Sequence, residues 1–131
     1  MLDLKALLTK ILDALKVDYV VAEGTSGSWT YRKWNSGKFE AWYSGTASLV
    51  SDGLLSSYNP TWYRSHYSVT LPTYLSNATI QTAVCSNTSP TSFHMQGNTI
   101  INGTTITQYC IRGGGTLTGN VTASVYVTGT F

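Results

Sequence analysis

The feature that most constrains this chain is a change of period between residues 17 and 19. Met1, Leu4, Leu8, Ile11 and Leu15 recur at 3-4-3-4 spacing, which is the a/d seam of a coiled coil. From Tyr19 onward the apolar residues alternate with period two, and turn residues return every 8–12 positions. The first pattern predicts a helix within residues 1–17, and the second an all-β domain over 18–131. Leu7 and Leu12 widen the helical seam, and Asp3, Lys5, Lys10, Asp13 and Lys16 lie away from it. Leu at the a positions with Ile at one d position disfavours two strands and leans towards three or four. Two heptads are marginal for an isolated helix in water, so this one needs a partner surface. Two partners fit the pattern: the chain's own β-domain, or other copies of the chain in an oligomerising stalk.

The β region is rich in Val, Thr and aromatic residues. Strands are predicted around 19–22, 28–34, 38–43, 63–71, 78–85, 93–96, 105–112 and 120–131. Asn35-Ser36-Gly37 reads as a three-residue hairpin loop whose Gly takes the left-handed position, and Asn102-Gly103 as a second hairpin turn. In the last strand Val121, Ala123, Val125 and Val127 alternate with Thr122, Ser124, Tyr126 and Thr128. An apolar face backed by hydroxyls is what an antiparallel sheet with one wet side requires. The expected architecture is a mainly β chain, a short helix followed by an antiparallel β-sandwich or jelly-roll-like domain.

Charge narrows the chemistry. Only 11% of residues are charged, and twelve of the fourteen charges lie at or before Asp52. Beyond Asp52 there is no Asp or Glu, and Arg64 and Arg112 are the only charges. A paired-carboxylate mechanism would have to be built from the N-terminal part, and a carboxylate-rich calcium loop is absent. A net charge of +2 without a basic cluster gives no footprint for nucleic acid. No apolar run approaches the roughly 18 residues of a membrane span, and the charged N-terminus reads as structure rather than as a signal. The sequence holds no G-x-S-x-G, G-K-[ST] or H-E-x-x-H motif. Gly113-Gly114-Gly115 reads as a turn. His66 and His94 are read as packing or surface residues, with a shared metal site on a threefold axis as the sharper alternative. Cys85 and Cys110 are read as thiols, a disulfide being geometrically possible. No catalytic residue, metal or cofactor is expected.

Gly24-Thr25-Ser26-Gly27-Ser28-Trp29-Thr30-Tyr31-Arg32-Lys33-Trp34-Asn35-Ser36-Gly37, followed by Glu40-Ala41-Trp42-Tyr43, resembles a segment of tail and fibre proteins of phages and prophages of Gram-positive bacteria. There it reads GxSGxWxYRKWxxG with an aromatic second strand. The resemblance covers about 25 residues. It implies a virion component assembled in the bacterial cytoplasm: a trimeric distal fibre or baseplate module for host attachment, partnered by other tail proteins and by itself. It brings no binding residues. In this hairpin aromatics fall on both faces of both strands, which predicts burial on both, by the core and by a neighbouring subunit.

A candidate recognition patch comes from the residues themselves. Tyr58, Trp62, Tyr63 and Arg64 cluster around Asn59-Pro60, with Tyr74 further on. Such rings stack on sugar faces while nearby amides and hydroxyls bond sugar hydroxyls, so a host-surface polysaccharide is the expected ligand. The plainer reading has these rings plug the end of the sandwich. The function that fits is a non-enzymatic, homotrimeric attachment module; the alternative is a monomeric carbohydrate-binding adhesin unrelated to phage.

Overall fold

A computed structural model describes residues 3–56, 61–89 and 93–131; Met1 and Tyr58 lie outside them. Helix α1 (Leu4–Ala14) is capped by Asp3, whose carboxylate accepts from the Ala6 amide at 3.2 Å. It stops at Lys16, held at φ 54°, the left-handed exit common after helices. None of its described residues is buried, and Leu4, Leu8, Ile11 and Leu15 are 47–70% exposed. The helix does not pack on its own β-domain. What fixes its base is Asn35. That side chain accepts from the Tyr19 amide at 2.9 Å and donates to the Val17 carbonyl at 3.2 Å.

Among the described residues eight antiparallel strands follow: β1 (Val20–Ser26), β2 (Trp29–Trp34), β3 (Lys38–Ser56), β4 (Trp62–Thr70), β5 (Thr79–Thr88), β6 (Met95–Asn102), β7 (Thr105–Gly113) and β8 (Gly119–Thr130). They form one open sheet folded over on itself in a sandwich-like manner, and β3 is the shared strand. Its first part, Lys38–Leu49, pairs with β8, and β2 lies on its other side. Its last part, from Val50, pairs with β4. The first half of the sheet therefore runs β1-β2-β3-β8-β5, and the second runs β3-β4-β7-β6. Across the open side the Gln96 amide of β6 donates to the Asn87 carbonyl of β5 at 3.3 Å.

The turns follow their residue types. Gly37 sits at φ 85° and its amide donates to the Trp34 carbonyl at 3.0 Å, closing the three-residue loop. Gly103 takes φ 59° in the β6–β7 hairpin, and Gly114 φ 80° after β7. Alternation decides burial. Val121, Ala123, Val125 and Val127 face Tyr67, Val69, Ile106 and Cys110 of the other half in one apolar core. Ser65 is buried among them because its hydroxyl donates to the Leu117 carbonyl at 2.6 Å. Gln108 is satisfied by Thr99 Oγ1 and by the Gly97 and Tyr109 carbonyls, at 3.1 and 2.9 Å, where β6 bulges between Gln96 and Thr99.

In the β2–β3 hairpin Trp29 and Phe39 enter the core, with Tyr31 and Tyr43 packed against it. Trp34 and Trp42 lie on the outer face and are half-buried without a second layer. In place of a covering layer, Tyr126 packs on Trp42 with centroids 5.7 Å apart, and the Arg32 guanidinium sits 5.5 Å from the Trp42 ring centre. Cys85 and Cys110 are free thiols on strands of opposite halves.

Candidate functional site

The predicted recognition residues divide between two faces and two halves. Along β4, Ser65, Tyr67 and Val69 point into the core, so Trp62, Arg64 and His66 point outward. Tyr63 shares the parity of the core residues and leaves the patch. Tyr74 sits in a 3-10 turn (Thr73–Leu75), stacked on Tyr31 of β2 at 5.9 Å, and its carbonyl accepts from the Lys33 ammonium at 2.9 Å. Of the five residues of the patch, Trp62 and Arg64 share one face of β4, Tyr63 and Tyr74 lie elsewhere, and Tyr58 is outside the described residues. Period two separates Tyr63 from its neighbours, and Tyr74 belongs to the first half of the sheet.

Around Trp62 and Arg64 the pairing assembles residues that sequence proximity did not suggest. Trp62 stands opposite Gly113, Arg64 opposite Ile111 and His66 opposite Tyr109, while Met95 of β6 pairs with Ile111 from the other side. Gly113 matters because the Trp62 ring lies over it: a β-carbon there would meet the ring at 3.5 Å. Trp62, Phe93, Met95 and Ile111 wall a cleft of about 280 Å³. Phe93 is 89% exposed at its rim, and a ring held in water on a strand flank is available for contact. A smaller groove of about 190 Å³ continues over the same face between Leu55, Arg64, Ile100 and Tyr109.

The charges of this face form one cluster. Asp52 is the extra residue of a bulge in β3, where the register slips between Ser51 and Gly53 and Gly53 adopts φ 83°. The bulge brings its carboxylate to 2.9 Å from His66 Nδ1 and 3.6 Å from Arg64 Nε. The guanidinium in turn lies 4.6 Å from the Tyr109 ring centre. Asp52 orients Arg64 and His66 beside an aromatic cleft. Among the described residues no hydroxyl is hydrogen-bonded to His66 Nε2, and no three His, Cys, Asp or Glu side chains gather as a metal centre. His94 lies inside, accepting at Nε2 from the Asn87 amide at 2.8 Å.

The thiols also face inward. Burial pushes Cys110 and Cys85 above the ordinary thiol range, opposed by a hydrogen bond from the Asn87 amide to the former and by the nearby Thr99 and Tyr67 hydroxyls at the latter. A thiol held neutral is a poor nucleophile.

The outer face of the first half carries a second set, with one row of paired residues on each pleat. Thr30, Trp42, Tyr126 and Val84 stand opposite one another across β2, β3, β8 and β5. The next row is Glu23, Arg32, Glu40, Thr128 and Thr82. Arg32 reaches Glu23 at 3.5 Å and Glu40 at 3.7 Å. The alternation places Arg32, Trp34, Glu40 and Trp42 on one face of the hairpin; their alignment with β5 and β8 depends on pairings across more than 40 residues. No family model matches the chain, and no curated protein or solved structure matches it either.

Proposed function

We propose that the chain is a non-enzymatic structural module of a phage or prophage tail, a homotrimer held by α1 that presents its β-domains to host-surface polysaccharide. The observation that carries this reading is the seam of α1. Leu4, Leu8, Ile11 and Leu15 form an apolar stripe that the chain's own core leaves uncovered. Other copies of the chain would complete an a/d seam with this Leu/Ile pattern. The Gly24–Gly37 hairpin supplies the likeness to tail and fibre proteins. The Trp62 cleft supplies a surface suited to stacking on sugar rings, and three weak clefts on one stalk gain affinity through multivalency.

Light scattering tests the assembly. A mass near three times 14.2 kDa is expected for the parent, and Leu8→Asp or Ile11→Asp is expected to give single chains. A parent of one chain would refute the trimer and leave the monomeric adhesin. Binding to cell-wall polysaccharide tests the cleft: Trp62→Ala should bind more weakly than the parent, and equal binding would remove this site.

A further inference from the structure

A second cleft, larger than the one at Trp62, lies elsewhere in the β-domain. A cavity of about 600 Å³ opens at the end of the first half of the sheet, where α1 joins the β-domain. Its walls come from the linker and four strands, among them Asp18 of the linker, Trp34 of β2, Lys38 and Glu40 of β3, and Gln81 of β5. Thr128 and Thr130 of β8 complete it.

Three features make it a built site. First, Gln81 is the extra residue of a β-bulge. The register of β5 on β8 slips between Ile80 and Thr82, freeing Gln81 from the ladder where it lines the cavity. Bulges of this kind re-aim a side chain next to a site. Second, the Glu40 carboxylate is positioned before any ligand arrives. Its side chain is 17% exposed, one oxygen accepts from the Tyr126 hydroxyl at 2.9 Å, and the other faces Arg32 Nη1 at 3.7 Å. Third, Trp34 offers a flat apolar wall beside those acceptors, and Lys38 offers a donor, 3.7 Å from Asp18.

An indole wall, two carboxylates, an amide and two hydroxyls match a pyranose, with its apolar C–H face and its rim of hydroxyl donors. The ionised lining groups, Asp18, Glu40 and Lys38, sum to one negative charge, which disfavours an acidic sugar. We propose that this cleft is a saccharide site for neutral pyranoses. It is separate from the Trp62 cleft and does not depend on it.

The test is an NMR titration of the indole N–H signals of the full chain. Maltohexaose and chitotriose are the neutral probes, trigalacturonate is the anionic one, and Trp34→Ala identifies the Trp34 signal. The expected result is movement of the Trp34 signal by a neutral probe. The affinity read at that signal should weaken at least about tenfold in Glu40→Gln. At the same signal the anionic probe should bind at least about tenfold more weakly than the neutral ones. Glu40→Gln keeps an acceptor for Tyr126, so the fold is preserved while the charge is lost. No shift at Trp34 with either neutral probe up to about 10 mM, or equal binding of trigalacturonate, would overturn the proposal. Shifts confined to Trp62 would also overturn it, while leaving the Trp62 reading intact.

Discussion

Removing the Tyr67 hydroxyl is expected to leave the fold as stable as before, or more so. The side chain is 1% exposed, on β4 opposite Gln108 at the centre of the core. Its ring packs well, but its oxygen has no partner of good geometry among the described residues. Around it lie the thiols of Cys85 and Cys110 and the ring of Tyr43, and this burial drives the phenol far above its ordinary range. Sulfur is a weak acceptor, so the contact with Cys85 returns little of what hydration gave. A buried hydroxyl left unpaired costs about 1–3 kcal/mol. The void left by one oxygen forfeits a few contacts worth about 0.1–0.2 kcal/mol each. Tyr67→Phe should therefore change stability by between zero and about 2 kcal/mol, in the stabilising direction.

Urea unfolding at pH 7 reads this directly. A gain of about 1 kcal/mol raises the midpoint by roughly 0.5 M at an m-value near 2 kcal/mol/M, with m itself unchanged. Tyr67→Leu provides the contrast, because it removes the ring and should cost several kcal/mol, about 2–5 for a large-to-small core change. A loss above about 1 kcal/mol in Tyr67→Phe at constant m would refute the reasoning. It would mean that the hydroxyl makes a full-strength bond in this core.

Other outcomes follow from the same packing. Gly129→Ala is expected to lower stability by more than about 2 kcal/mol, because a β-carbon there overlaps the Thr79 carbonyl oxygen and the Phe39 ring at the β5–β8 seam. A thermal melt within a degree of the parent would contradict this. Cys85, Cys110 and Tyr67 all hold their protons more tightly when folded. The unfolded chain therefore releases them first, and stability should fall with rising pH from about pH 9, by up to about 1.4 kcal/mol per unit for each proton. Urea midpoints that stay level between pH 8 and pH 10.5 would remove these groups from the account. The same burial should make both thiols slow towards a disulfide reagent in the folded protein and fast in urea.

How much was legible in the sequence depends on the range of the interaction that decides each feature. The eight strands and the burial of Val121, Ala123, Val125 and Val127 follow from local alternation, and the sequence carries it openly. The second part of β3 was not expected. Residues 44–56 are mostly Ser, Gly, Thr and Ala, and they extend β3 because β8 and β4 pair with them. Trp62 and Arg64 were legible as a neighbourhood, but Tyr63 and Tyr74 were grouped with them by proximity along the chain. The Asp52–His66 contact was out of reach, since it needs both the β3–β4 register and the one-residue slip that the bulge introduces. The same holds for Glu40 with Tyr126, which are 86 residues apart.

The long strand β3 relates the proposed stalk to the two clefts. At its Lys38 end lie the Asn35 clamp on the base of α1 and the Trp34 cleft. At its Ser56 end, where Ser56 pairs with Trp62, lies the other cleft. An assembly held at α1 would carry three Trp62 clefts at the far end of β3 and three Trp34 clefts around its base. The helix would then govern avidity but not the intrinsic affinity of either cleft. Leu8→Asp should accordingly weaken binding to a long polysaccharide by a large factor, within the 10²–10⁴ that multivalency contributes, and leave the binding of a short oligosaccharide at Trp34 unchanged. If the substitution weakened both alike, α1 would be shaping the cleft through Asp18. If it weakened neither, the domains would bind singly, and the stalk would have no part in attachment.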